Sequence, residues 1–317
     1  MKITGTGSAM PSLAVTNDML SEFLDTNDEW ISTRTGIKER RIISDETLTS
    51  LAVDAAKKAI ESAGLTPNDI DYFLCSNVVN NFVTPSLSCI LQGEIGANCP
   101  SLDLNAACTG FIYALDIAES FIQTGRAENV LIVCAEEPTR MVNWKERNTC
   151  VLFGDGAGAV VVSKGDAFKA FHISTQSKIE PLYYQRKLEY NPYQSHPDGD
   201  APLIMNGKDV FKLAVSSSVS DIRNVLEKSS LNADDIKYYL LHQANIRIID
   251  TIRDFLKQPD DKFPHNIENY GNTSSASIPI LLDEMRRAGK FTKGDMLLFS
   301  AFGAGFTTGA CVLEWNM

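Results

Sequence analysis

The chain has 317 residues, 44% hydrophobic and 22% charged, a mixture able to bury a sizeable core and unlike that of a disordered chain. That length suits two domain-sized units or one large α/β domain. A net charge of −11 argues against a nucleic-acid binder, whose phosphate contacts need clustered Lys and Arg, and no stretch reaches the roughly 18 apolar residues of a membrane span.

Residues 1–10 hold one Lys and no long apolar run, which does not read as a secretory signal. The first helix pattern covers 51–63 and meets its stop signals at Gly64 and Pro67. An apolar run predicts a strand over 70–75. A second strand, 101–104, leads into N-A-A-C-T-G-F around Cys108. Phe111, Leu115, Ala118 and Ile122 then fall on one helical face, closed by Gly125. Strands follow over 130–135 and 159–162. Residues 180–201, rich in Tyr, Pro, Asn, Asp and Gly, read as a long irregular insertion, a surface loop or pocket wall. Further strands are predicted over 236–241, 296–299 and 310–314, with a helix over 281–288 ending at Gly289. Continuous apolar strands separated by helices make the class α/β, with strands buried on both faces.

A faint repeat runs through the chain. Residues 60–74 (IESAGLTPNDIDYFL) and 226–240 (LEKSSLNADDIKYYL) agree at six of fifteen positions, each reading as helix end, polar turn and strand. F-G-x-G precedes an apolar strand both at Phe153 and at Phe302. Two matches in the same order predict duplicated halves, which we delimit as 1–165 and 166–317.

The seven cysteines are scattered, odd in number and free of C-x-x-C, which predicts a reducing compartment, the cytoplasm, rather than a disulfide framework. Cys75, Cys134 and Cys311 sit in apolar strand-like runs and should be inert. Neither His nor Cys shows metal-ligand spacing.

Four places carry chemistry or ordinary structure. Cys108 stands at a strand-to-helix turn, where unpaired N–H groups and the helix dipole stabilise a thiolate; equally, it is a small residue packed beneath the helix. His242, in L-H-Q-A-N, follows a buried strand at the end where α/β sheets bind ligands, or is a satisfied structural histidine; His172, His196 and His265 lack this setting. Asn272, in Y-G-N-T-S-S-A-S, suits turn and cap chemistry as well as function. F-G-A-G-F-T-T-G, from Phe302 to Gly309, either presents backbone N–H groups to an oxyanion or is only a tight turn. It is not a dinucleotide fingerprint, because a strand follows it and not a helix. Together a thiol, an imidazole, an amide and a glycine turn suit acyl transfer through a thioester.

N-A-A-C-T-G-F, L-H-Q-A-N-I-R-I, Y-G-N-T-S-S-A-S and A-F-G-A-G-F, with G-T-G-S at Gly5 and D-E-W-I-x-x-R-T-G-I over 28–37, together resemble the 3-oxoacyl-[acyl-carrier-protein] synthase III family over nearly the whole chain. The resemblance implies the thiolase-like fold, duplicated βαβ halves in a five-layered α-β-α-β-α sandwich, and a homodimer. It implies that Cys108 takes an acyl group from acyl-CoA. Malonyl-acyl-carrier-protein then loses CO₂, and its enolate attacks the acyl-cysteine. The N–H groups of Cys108 and Ala304 would hold the thioester oxyanion, and His242 and Asn272 would donate to the malonyl thioester oxygen. The likeness further implies that Trp30 and Arg147 sandwich the CoA adenine and that Arg34 meets the CoA phosphates. Phe153, Gly207, Phe211, Asn245 and Phe302 would line the substrate path, and Lys212 and Arg247 would meet an acidic carrier protein. No cofactor, metal, nucleic acid or membrane is implied.

Departures from the family pattern bear on the primer. Thr84 stands before Pro85, where many members carry a Phe that caps the partner subunit's acyl pocket; Phe82 lies two residues earlier. Ala304 replaces the middle of a common Gly-Gly-Gly, and Thr308 stands where Trp is frequent. These leave room for a primer longer than acetyl and for specialised-metabolite condensation beside primary fatty-acid initiation. Rival readings are an acyltransferase to an alcohol or amine without decarboxylation, a non-catalytic subunit of a condensing pair, and a cysteine hydrolase. The intact Cys-His-Asn set and the repeat weigh against them.

Overall fold

A computed structural model of the chain describes residues 1–185 and 202–317. The first half of the chain forms β1 (Lys2–Ala9), β2 (Leu13–Thr16), α1 (Asn17–Ser21), α2 (Asp28–Thr35), β3 (Glu39–Ile42), α3 (Leu48–Ser62), β4 (Tyr72–Ser76), α4 (Leu87–Ile95), β5 (Ser101–Leu104), α5 (Gly110–Gln123), β6 (Asn129–Glu136), α6 (Arg147–Cys150) and β7 (Gly156–Ser163). The second half forms β8 (Phe168–Lys178), β9 (Leu182–Tyr183), β10 (Ile204–Met205), α7 (Gly207–Ser229), β11 (Tyr238–Leu241), α8 (Ile246–Leu256), α9 (Ile267–Tyr270), α10 (Ser277–Arg287), β12 (Met296–Gly303) and β13 (Gly305–Glu314).

Two sheets repeat one pattern. In the first, the order is β1-β7-β6-β4-β5; β4 runs parallel to β5 and β6, and β7 is antiparallel to β6 and β1. In the second, β8-β13-β12-β11, β11 runs parallel to β12, and β13 is antiparallel to β12 and β8. Strands β1, β7, β6 and β4 thus correspond to β8, β13, β12 and β11. The repeated segments fold alike. Asp69 Oδ2 accepts the Thr66 N–H at 2.8 Å, and Asp235 Oδ2 accepts the Asn232 N–H at 2.7 Å. Each closes a one-turn helix ahead of a parallel strand. Ile70 and Ile236 end those turns, so the two strands begin two residues later than their apolar runs.

Alternation along the strands builds the layers. On β6, Val130, Ile132 and Cys134 face the central core while Leu131, Val133 and Ala135 face the outer one. Leu297, Phe299 and Ala301 of β12 face the same central core from the other sheet, and Leu298 faces away. Helices α5 and α10 fill the space between the sheets, α3 and α4 cover the first, and α7 with α8 covers the second. Five layers, α-β-α-β-α, result. Phe111 and Phe299, both fully buried, meet in the middle with ring centroids 5.9 Å apart; truncating either to Ala would cost about 3–5 kcal/mol.

Strands β1 and β8, the β2–β3 hairpin and helices α7 and α8 are not delimited by the sequence. In β1 the reason is visible. Cβ atoms at Gly5 and Gly7 would lie 2.1 Å from the Ala59 carbonyl oxygen and 2.3 Å from that of Ala55. The strand packs its backbone onto α3, so its core contact leaves no apolar pattern. Of the expected irregular insertion, 186–201 lies outside the described residues; on its flanks β9 and β10 pair antiparallel. Among the described residues no helix is long and apolar enough to cross a membrane. The seven cysteines are free, with Cys75, Cys134 and Cys311 buried in their strands as expected.

Candidate active site

Cys108 sits on a one-turn helix, Ala107–Thr109, between the carboxyl end of β5 and the first residue of α5. Ala107, just before it, has φ 48°, a left-handed conformation that costs a residue with a Cβ roughly 1–2 kcal/mol. Neighbouring bonds hold it there. Thr307 Oγ1 donates to the Ala106 carbonyl at 2.9 Å, and Thr109 Oγ1 donates to that of Thr307 at 3.1 Å. Burial pushes the Cys108 thiol up to about 12, outweighing the bond from Ser274. Burial thus works against the thiolate that the strand-to-helix turn is expected to favour, and a nearby proton acceptor would help to form it.

His242 follows β11 and is 3% exposed. Its Nδ1 lies 2.8 Å from the Ser277 hydroxyl, which already accepts the Gln243 N–H at 3.3 Å. When the serine proton goes to Nδ1, the ring proton sits on Nε2, the tautomer that presents a donor to the cavity. Burial pulls His242 down to about 3, so this imidazole is neutral. Its Nε2 has no partner among the described residues.

Asn272 is buried in the loop before α10. Its Oδ1 accepts the Ser274 N–H at 2.8 Å, which turns the amide so that its NH₂ remains to donate. Ser274, like Ala107, is left-handed, with φ 54°.

The glycine turn closes the site from the second sheet. A Cβ on Gly303 would lie 2.7 Å from the Cys108 backbone nitrogen, so only glycine lets the β12–β13 turn approach the Cys108 N–H. Ala304 is half-buried beside the same cavity as Cys108.

One cavity of about 110 Å³ is lined by Cys108, His242 and Asn272 together. Phe153, Gly207, Phe211, Asn245 and Phe302 line it too, so every residue expected on the substrate path borders one space. A second cavity, of about 380 Å³, continues past Cys108 between Val78, Met141, Ile179, Leu182 and Leu203. Cys108, Phe153 and Leu182 border both.

This constellation can be set beside known proteins. A model of 3-oxoacyl-[acyl-carrier-protein] synthase III matches residues 102–178, and a model of the C-terminal part of that enzyme matches 226–315. The beta-ketoacyl-[acyl-carrier-protein] synthase III of Clostridium acetobutylicum is 44% identical, covering 100% of this chain and 99% of its own. The chain belongs to the 3-oxoacyl-[acyl-carrier-protein] synthase III family. Solved structures agree. The synthase III from Aquifex aeolicus matches with TM-score 0.92 at 42% identity over 99% of both chains. The priming beta-ketosynthase of a polyketide biosynthetic pathway matches with TM-score 0.93 at 36% identity over 99% of this chain and 96% of its own.

The remaining candidate residues of this synthase III chain fall into three groups. The Arg34 and Arg147 guanidinium carbons each lie 4.8 Å from the centroid of the Trp30 ring. Arg147 also bonds the Asp25 carbonyl. Asn245 Nδ2 donates to the Arg34 carbonyl at 3.0 Å, which ties this cluster to the cavity shared by Cys108, His242 and Asn272. Lys212 on α7 and Arg247 on α8 are exposed, outside both cavities. Phe82 and Thr84 are exposed as well and border neither cavity of their own chain.

Sequence reasoning missed three site residues. Ser277 orients His242, Ser274 touches Cys108, and Glu136 lies behind Ser274. Glu136 is 1% exposed at the end of β6, and its Oε1 accepts the Ser275 hydroxyl at 2.5 Å. The available signal was an acidic residue closing an otherwise apolar strand, V-L-I-V-C-A-E.

Proposed function

We propose that this chain catalyses the decarboxylative condensation of an acyl-CoA primer with malonyl-acyl-carrier-protein through an acyl-Cys108 intermediate. The observation that carries this reading is the single cavity shared by Cys108, His242 and Asn272. Cys108 attacks the acyl-CoA carbonyl and free CoA leaves. The N–H groups of Cys108 and Ala304 stabilise the oxyanion of that step. Malonyl-acyl-carrier-protein then enters by the same path. Loss of CO₂ puts negative charge on its thioester oxygen, where the His242 Nε2–H and the Asn272 NH₂ donate. A donor of this kind is worth roughly 3–4 kcal/mol. The enolate carbon attacks the acyl-cysteine and releases the 3-oxoacyl-carrier protein. A neutral His242 suits donation, and the amide donates at any pH.

Trp30, Arg34 and Arg147 bind the nucleotide end of CoA in this reading, with Asn245, Gly207, Phe211, Phe153 and Phe302 along the pantetheine arm. Lys212 and Arg247 receive the acidic carrier protein. The chain works as a cytoplasmic homodimer of two-part subunits, 1–165 and 166–317, with Phe82 and Thr84 turned toward the partner's acyl pocket. Intact-mass spectrometry after incubation with a panel of acyl-CoAs tests the proposal. Acyl addition that disappears in Cys108→Ala, followed by CO₂ release from malonyl-acyl-carrier-protein, is expected. Acyl addition that persists in Cys108→Ala would end it.

A further inference from the structure

The Cys108 thiol is not alone with His242. Ser274 Oγ lies 3.4 Å from Cys108 Sγ and 3.3 Å from Glu136 Oε1. One hydroxyl proton serves only one of these bonds. Donated to the carboxylate, it leaves a serine lone pair facing the Cys108 S–H. The left-handed backbone at Ser274 holds the hydroxyl between the two, and its N–H is tied to Asn272.

The structure assigns Glu136, acting through Ser274, as the acceptor and temporary store of the Cys108 proton. This assignment rests on the condensation reading above. During loading, the Cys108 proton moves to Ser274 Oγ as the serine proton moves to Glu136. The sulfur lone pair then forms the bond to the acyl carbonyl carbon. The CoA sulfur leaves as a thiolate with the electrons of its bond, carrying the charge that Glu136 gave up, and takes a proton from bulk water, which keeps the hydroxide. Glu136 is now a neutral acid, and it stays so while the malonyl group is bound. After decarboxylation the enolate attacks, and the bond from the acyl carbon to Cys108 breaks toward sulfur. The proton returns through Ser274, restoring the thiol and the carboxylate. One proton is stored and one returned, and the charge balances in each half-reaction.

The surroundings favour this route over His242. Burial raises Glu136 to about 7, above an ordinary carboxylate, while His242 sits near 3. A thiol near 12 gives its proton to the carboxylate at far less penalty than to that imidazole. The titratable groups near Glu136 are thiols: Cys134 on its own face of β6, Cys108, and Cys75 on β4, which turns to the opposite face of the sheet. Its other partners are the Ser275 hydroxyl and the Val78 N–H, the latter 3.3 Å from Oε2. Among the described residues no Lys, Arg or His pairs with it. A neutral Glu136 also removes a negative charge from beside the site where the enolate forms.

The test is the pH dependence of Cys108 alkylation by iodoacetamide, a measurement that needs neither substrate. With the relay, the rate rises as Glu136 ionises near pH 7 and then holds a plateau. Glu136→Gln keeps the shape and cannot take the proton, so its rate climbs about tenfold per pH unit with no plateau. Ser274→Ala leaves Glu136 in place, breaks the bridge and loses the plateau too, which keeps the test open should the glutamine variant fold poorly. Acyl loading at pH 7.5 falls about 100-fold in either variant. A wild-type profile without the plateau, or a plateau that survives in both variants, would overturn the relay. Failure of the wild type to load any acyl-CoA would instead overturn the condensation reading, whatever the alkylation profile.

Discussion

The Asn272 side-chain oxygen accepts the Ser274 N–H at 2.8 Å, and that one bond decides what the amide can do. With its oxygen turned to that N–H, Asn272 has its NH₂ left to donate. Asn272→Asp keeps an acceptor for the Ser274 N–H but deletes the donor and adds charge where the enolate forms. Condensation should fall about 100- to 1000-fold, while Cys108 still loads acyl groups within a few-fold of wild type. Separate assays of acyl-enzyme formation and of CO₂ release check it. Equal loss in both would give Asn272 a structural role.

Ser277 does for His242 what Ser274 does for Asn272. Its hydroxyl lies 2.8 Å from Nδ1, and by donating there it selects the tautomer with the proton on Nε2. In Ser277→Ala both tautomers become available, and condensation should drop about tenfold, the scale of one hydrogen bond. The imidazole itself should show no titration between pH 5 and 8, because burial holds it near 3. NMR of the ring Cε1–H across that range reads this directly. An inflection near 6.5 would mean that water reaches the ring.

The fold was legible where side chains form it and illegible where backbone does. The strands around Val133, Leu240 and Phe299 declared themselves as apolar runs buried on both faces. The repeat showed through Asp69 and Asp235 because both cap the same turn. Strand β1 stayed hidden because Gly5 and Gly7 meet α3 by their backbones. Cys108, His242 and the glycine turn stood out as polar or glycine positions following strands, and Asn272 as part of a polar loop entering a helix. Glu136, Ser274 and Ser277 did not, since each acts by bonding a group more than 30 residues away in the chain. Spacing along a sequence carries no trace of such a bond.

At the mouth of the path, the two kinds of contact should separate in steady-state kinetics. Trp30 carries both guanidinium groups on its ring and borders neither cavity at Cys108, as the proposed CoA-nucleotide platform would. Trp30→Ala should raise KM for acyl-CoA about tenfold and leave kcat nearly unchanged, the mark of binding energy shared by ground and transition states. Arg247→Glu should instead raise KM for malonyl-acyl-carrier-protein alone. That effect should shrink between 0.01 and about 0.5 M salt, since exposed charges are screened. A salt-independent defect, or one felt equally by acyl-CoA, would remove Arg247 from the docking surface.

Within the chain itself, the cavity beyond Cys108 bears on primer length; Thr84 borders neither cavity of its own chain, and its expected place is the partner's pocket. At about 380 Å³ it has room for roughly twelve waters at ~30 Å³ each, far more than an acetyl group needs. Its walls include Val78, Met141, Ile179, Leu182 and Leu203. Each buried methylene contributes about 0.8 kcal/mol, so kcat/KM for loading should rise about three- to fourfold per carbon beyond acetyl until the wall is met. Leu203→Trp should move the optimum to shorter primers. A sharp optimum at acetyl-CoA in the wild type would contradict the cavity's role.

Burial of Glu136 and His242 has opposite consequences for stability against pH. Glu136 is raised from 4.5 to about 7, so between those values the folded chain binds more protons than the unfolded one, and stability falls as pH rises. Asp155, raised from 3.8 to about 6, adds to the same fall over its own window. His242 is lowered from 6.5 to about 3, so there the unfolded chain binds more protons, and stability rises with pH. Denaturant unfolding at a series of pH values separates the contributions when each variant is subtracted from wild type. Relative to Glu136→Gln, the wild type should lose stability on the order of 2–3 kcal/mol between pH 4.5 and 7.5. Relative to His242→Gln, it should gain stability from pH 4 to 7. Slopes of the same sign in the two subtractions would mean that at least one of these side chains is not held dry in the folded protein.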